Sequence, residues 1–207
     1  MTAKKSPHEN SIPFLQRDKH LGAFIKQHGP ITHRRPHKGG AFQSLAEAIV
    51  YQQLSGKAAG TILKRFVALF PKKKFPAPQD VLRIKTEKLR SAGLSGQKAL
   101  YLKDLAAKFN DGTINPELFP KMSDAEIIEH IVTVKGIGEW TAQMFLMFTL
   151  ARPDVLPTGD LGIQKGFQKL FALRNRPSSK QMEKLANGWR GHRTVACMYL
   201  WRLQDEG

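Results

Sequence analysis

A chain of 207 residues with 33 Lys and Arg against 17 Asp and Glu carries a formal charge of +16, and 41% of it is hydrophobic. That apolar share supports a packed core and excludes wholesale disorder, while the charge points to a polyanionic partner, nucleic acid foremost. The lone Cys197 excludes an intrachain disulfide, a cysteine-based zinc site and an iron–sulfur cluster, and no apolar run reaches the ~18 residues of a membrane span. The excess charge is spread along the chain: residues 1–40 carry 8 basic and 2 acidic groups, 41–159 carry 16 and 11, and 160–207 carry 9 and 4. Residues 1–10 lack the apolar centre of a signal peptide, so an intracellular protein is expected, with no membrane partner.

Helical spacing begins at Leu21, Phe24 and Ile25 and stops at Gly29-Pro30. A polar, His-rich loop covers 32–40. Phe42, Leu45, Ala46, Ile49 and Val50 mark a second helix, and 58–70 a third, stopped by Pro71. The segment PKKKFPAP (71–78) is too rich in proline to be helical. Short helices over 79–84 and 87–92 follow, the second ended by Gly93, and an amphipathic helix over 97–109 ends at Asn110-Asp111-Gly112. Ser123 and Glu126 form a capping box that opens a helix carrying Ile127, Ile128, Ile131 and Val132. Across Val134-Lys135-Gly136-Ile137-Gly138 it meets a helix over 139–150. Pro153 and Pro157 bound the next loop, 161–171 is helical, Ser178 to Gln181 repeats the capping pattern, and helices near 179–187 and 192–204 close the chain. The reading is an all-α protein with short connections.

Gly136 and Gly138 let two helices turn tightly, with Ile137 between them pointing inward. The same lack of side chains lets a phosphate approach the N–H groups at the start of the second helix, where the dipole is favourable. An ordinary interhelical turn is the plainer reading, and the motif is not a dinucleotide fingerprint, since Thr141 stands where a third Gly belongs. The basic charge and the capped preceding helix favour phosphate binding.

VKGIGEWTAQ (134–143), followed by LPTGDLGIQKGF (156–167), resembles the helix-hairpin-helix DNA glycosylase superfamily, and within it the 3-methyladenine DNA glycosylase II branch. The resemblance runs from about Leu21 to Leu203. It takes in AIVYQQLSGKAA (48–59), the hairpin, and Asp160 twenty residues after Trp140, in family order. Lys135 departs from the pattern, standing where many relatives have Pro. The resemblance implies a two-lobed helical HhH-GPD fold. In it 41–157 forms a central lobe with the helix-hairpin-helix at 124–150, 1–40 and 158–207 form the second lobe, and the active site lies in the cleft between them. Helical patterning from near the start implies that the extra β domain of some relatives is absent.

By position alone Asp160, at the start of a helix, reads as an N-cap. The resemblance makes it the catalytic carboxylate, and the two roles are compatible. Breaking an N-glycosidic bond builds oxocarbenium character on the deoxyribose, which a carboxylate stabilises while it positions the attacking water. No second acid stands at a matching motif position, and a base alkylated on a ring nitrogen is already cationic and leaves without protonation. Trp140 occupies the position of the Schiff-base lysine of lyase members, which implies a monofunctional glycosylase. Trp140, Trp201 and Met144 match a base pocket, although Trp and Met at helical spacing also read as core. Trp189 reads as core. Gln53, by alignment the DNA wedge, also reads as a plain helix C-terminal residue. Gly136, Gly138, Lys135, Thr141, Ser55 and Lys57 form the phosphate-binding set, with Lys64 a further basic contact, although a single Lys is more often a solvated charge.

The resemblance calls for no required cofactor, but it implies a monovalent cation (Na or K) at the hairpin, held by the carbonyls of Val132, Val134 and Ile137. Ser55-Gly56-Lys57 lacks the spacing of a P-loop. His33 and His37 cannot share a helix face as metal ligands, because Pro36 lies between them. The expected function is a monomeric, monofunctional enzyme of base excision repair that removes 3-methyladenine and 7-methylguanine from damaged double-stranded DNA. Two alternatives stand beside it: a glycosylase of the same fold for another damaged base, and a helix-hairpin-helix DNA-binding protein without catalysis.

Overall fold

The computed structural model describes residues 10–31 and 37–205, and every regular element among them is helical. In chain order these are α1 (Ser11–Leu15), α2 (Leu21–His28), α3 (Gly40–Tyr51), α4 (Gly56–Ala68), α5 (Pro78–Arg83), α6 (Thr86–Ser91), α7 (Gly96–Asn110), α8 (Asp124–Val132), α9 (Glu139–Phe148), α10 (Leu161–Leu170), α11 (Ser179–Leu185) and α12 (Arg193–Asp205), with 3-10 turns at Phe119–Lys121 and Ala186–Trp189. The all-α reading is thus correct. Neither α1 nor the 3-10 turns were expected. Helix α9 ends two residues early, because Ala151 adopts φ 53 and the Arg152 N–H turns back to Leu146 O. Of the loop expected over 32–40, residues 32–36, with His33, lie outside the described residues.

The chain forms two compact units, His37–Phe145, and Met1–Pro36 with Leu146–Gly207. In the first, α3, α5 and α6 pack on α7, and α4 packs on α3. Helix α7 buries Ala99, Leu102, Leu105 and Ala106, one stripe at helical spacing, against Leu45, Ile49 and Val50 of α3 and Val81 of α5. The Lys103 ammonium donates to Leu82 O and Ile84 O and closes the end of α5, and partial burial lowers its pKa. The capping box at α8 forms as expected: Glu126 Oε2 accepts the Ser123 N–H at 2.7 Å, and Ser123 Oγ accepts the Glu126 N–H at 3.3 Å.

In the second unit α1, α2 and α10 pack on α12. Gly166 lies so close to Leu200 that an added Cβ would come within 2.8 Å of the leucine Cβ, so α10 and α12 meet through bare backbone. Trp189 is buried, as read from the sequence; it stacks 5.4 Å from Phe167, and its indole N–H donates to Asp18 Oδ2 at 3.0 Å. The loop after α9 is strapped to α12. Thr194 Oγ1 donates to Arg152 O and accepts the Val155 N–H, and Arg193 grips both Asp154 oxygens at 2.7 Å. Burial raises the Asp154 carboxyl, but the Arg193 hydrogen bonds, the Gly191 backbone N–H and the Arg193 charge together outweigh it and hold it below the usual range. Cys197 is wholly buried, and burial pushes its thiol far up, which leaves it unreactive.

Candidate active site

The strapped loop delivers the chain to Asp160. The Asp160 N–H bonds back to Pro157 O at 3.0 Å, and the Gln164 side chain donates to Thr158 O at 3.0 Å, so the turn before α10 is closed. Asp160 is the N-cap of α10 in extended conformation (φ −76, ψ 123), and its Oδ1 accepts the Ile163 N–H at 2.8 Å. The same oxygen accepts the Trp201 indole N–H at 2.9 Å. Trp201 reaches it because Gly162 has no side chain; a Cβ there would stand 2.8 Å from Trp201 Cδ1. The carboxylate is half-buried, at the positive end of a ten-residue helix dipole. One oxygen is therefore oriented by a backbone and a side-chain donor from two helices. The cap expected at this position is present.

The hairpin between α8 and α9 closes through Val134 N–H to Ile131 O and Ile137 N–H to Val134 O, with Ile137 buried. Gly136 has φ 80, and an added Cβ would come within 2.2 Å of the Tyr101 ring. Both facts demand glycine. Gly136→Ala is expected to destabilise the protein by about 2 kcal/mol, read as a fall in Tm of several degrees; an unchanged melting curve would refute the packing of Tyr101 on the turn.

A cavity of ≈ 510 Å³ in the same unit is lined by Gln52, Gln53, Lys98, Tyr101, Gly136, Trp140 and Thr141 among others. It brings together four residues singled out in the sequence: Gln53, Gly136, Trp140 and Thr141. Trp140 is 51% exposed, unlike a core tryptophan, and Met144, one turn on along α9, is half-buried. Gln53 is exposed and takes φ 54. Ser55 is the N-cap of α4, its Oγ accepting the Ala58 N–H at 3.4 Å, and Lys57, Lys64, Lys135 and Gly138 are exposed. Among the described residues no group of three or more His, Cys, Asp or Glu could hold a metal, and no helix is long and apolar enough to cross a membrane. Sequence reasoning missed Lys98, Tyr101 and Asp104 of α7, which touch the segment after α3 and the hairpin, and no local pattern in the sequence marks them.

These features, a glycine hairpin that follows a capped helix and an oriented aspartate at a helix N-terminus, define an all-helical protein of the helix-hairpin-helix class. The model for the HhH-GPD superfamily of base excision DNA repair proteins matches residues 46–191, and this chain belongs to that superfamily. It is 35% identical over 162 residues to the DNA-3-methyladenine glycosylase 1 of Schizosaccharomyces pombe, covering 78% of this chain and 71% of the relative. It is 31% identical over 166 residues to YfjP of Bacillus subtilis, with 78% of this chain covered but only 58% of that protein's length. A solved structure of the S. pombe 3-methyladenine DNA glycosylase in complex with abasic DNA superposes with a TM-score of 0.79 at 32% identity, over 93% of this chain and 95% of that one.

Proposed function

We propose that this protein is a monofunctional DNA glycosylase of base excision repair, which hydrolyses the N-glycosidic bond of alkylated purines, 3-methyladenine and 7-methylguanine, flipped from duplex DNA. The observation that carries this reading is the Asp160 carboxylate, half-buried and aimed by the Ile163 and Trp201 N–H groups, in a chain of a base excision repair family. The C1′–N bond of the extruded nucleotide breaks toward an oxocarbenium-like sugar, whose charge the carboxylate stabilises. The cationic base takes the bonding electron pair and leaves neutral, so no general acid is required. Water adds to C1′, Asp160 orients it, and its proton passes to the carboxylate or to solvent.

Trp140 and Trp201 offer aromatic faces that attract a cationic base by cation–π interaction, about 0.5–2 kcal/mol for a good contact, and Met144 adds an apolar wall. Trp140 in place of lysine at that motif position supports hydrolysis without a lyase step. Gln53 is the wedge that enters the stack behind the extruded base. The N–H groups at Gly136 and Gly138, with Lys135, Thr141, Ser55, Lys57 and Lys64, grip the phosphates. The carbonyls of Val132, Val134 and Ile137 would hold a monovalent cation at the hairpin, where Val134 O accepts the Ile137 N–H and keeps a second lone pair. When bound, such a cation would draw a DNA phosphate to the turn. The protein acts on DNA as a monomer, one chain to one flipped base, in an intracellular compartment.

Side-by-side excision from duplexes carrying 3-methyladenine, 7-methylguanine, uracil or 8-oxoguanine tests the substrate class. Release confined to the two methylated bases is expected, with the abasic strand left uncut. Preferential release of uracil or 8-oxoguanine would replace the alkylbase reading by another lesion.

A further inference from the structure

The end of α3 is held by a residue outside every motif described above. Helix α3 stops at Tyr51, Gln52 turns extended (φ −50, ψ 131), and Gln53 takes φ 54, a left-handed conformation disfavoured for a residue with a Cβ. From α7 the Lys98 ammonium donates to Val50 O and to Gln52 O, each at 2.7 Å. Val50 O is among the last carbonyls of α3, which lose their helical partners where the helix ends, and a cation there also meets the negative end of the dipole. Lys98 is half-buried, and desolvation lowers its pKa below the ordinary lysine value. Its two carbonyl partners thus bracket Tyr51, and the second of them belongs to Gln52, the residue that immediately precedes Gln53.

The same face of α7 holds the hairpin. Gln52 Nε2 donates to Gly136 O at 2.8 Å, the Tyr101 ring lies against Gly136, and Asp104 Oδ2 accepts the Lys135 N–H at 2.8 Å. A phosphate-gripping turn and an intercalating tip act together only if their spacing is fixed, because the base stack would push a compliant tip aside.

We infer that Lys98 is a positioning residue for base extrusion. By holding the Val50 and Gln52 carbonyls it sets the left-handed Gln53, and through Gln52 it ties the wedge segment to Gly136 of the hairpin. The inference rests on the proposed role of Gln53 as the wedge. Lys103, on the same helix, closes α5 by the same chemistry and touches neither the wedge segment nor the hairpin in its hydrogen bonds, so it serves as the control.

The test is excision of a single 7-methylguanine presented either in a duplex or in a single strand, where no pair is broken and no hole is left to fill. Lys98→Met keeps the stem and removes the donors. Its kcat/KM on duplex should fall about 10- to 100-fold, with far less change on the single strand, whereas Lys103→Met should leave the duplex-to-single-strand ratio unchanged. Gln53→Ala is measured alongside. If Gln53→Ala leaves that ratio unchanged, the wedge role fails and this inference falls with it. If Gln53→Ala lowers the ratio and Lys98→Met does not, the positioning role of Lys98 is overturned while the wedge stands. Should Lys98→Met fail to fold, Lys98→Gln is read by the same ratio: a lower value supports positioning, and the wild-type value refutes it.

Discussion

Replacing Asp160 by Asn is expected to reduce single-turnover base release at least about a hundredfold, while the melting temperature and DNA affinity stay near wild type. Asn is as good an N-cap as Asp, so the Ile163 N–H and the first turn of α10 keep their acceptor. The amide oxygen also remains available to the Trp201 indole. What the substitution removes is the negative charge that meets the developing oxocarbenium ion. If Asp160 were a cap and nothing more, release and stability would both survive. Anisotropy of labelled duplex, measured beside base release, separates lost chemistry from lost binding.

Trp201→Phe should lower kcat about ten- to a hundredfold with KM nearly unchanged, since a hydrogen bond to a charged group contributes roughly 1.5–3 kcal/mol. Phenylalanine keeps an aromatic face, though a smaller one, and loses the indole N–H, which donates to Asp160 Oδ1 at 2.9 Å. The neighbouring architecture is built around that bond: Gly162 leaves the space the indole occupies, and Phe148 lies 6.1 Å away against the same ring. The split between kcat and KM is diagnostic. A fall in kcat assigns Trp201 to aiming the carboxylate, whereas a rise in KM with kcat intact would assign the ring to holding the base.

Features fixed by short stretches of chain were legible in the sequence. The Ser123–Glu126 capping box, the Gly136 turn and the Asp160 cap each involve residues within four positions of one another, and each forms as its residue types require. The helical periodicity around Leu45, Leu102 and Ile127 is likewise a local property of amphipathic segments. Contacts distant in sequence were not legible. Trp201 was read as a pocket aromatic, and nothing in a tryptophan 41 positions after an aspartate announces a bond between them. Lys98 reaches carbonyls 46 and 48 residues earlier, and an isolated lysine on an amphipathic helix is indistinguishable from a solvated one until the end of α3 is seen beneath it. Gly162 lies within the helix expected over 161–171, where nothing in the sequence marks it, whereas its role is to make room for the indole. The early end of α9 depends on the left-handed Ala151, which carries no sequence mark.

The most direct measurement is release of free base by the wild-type protein from duplex DNA methylated with a simple alkylating agent, with the released bases separated by chromatography. Appearance of 3-methyladenine, leaving abasic sites in an uncut strand, is the predicted result. Tight binding to the methylated duplex with no base released would contradict it, and would leave a DNA-binding protein in which Asp160 serves only to cap α10.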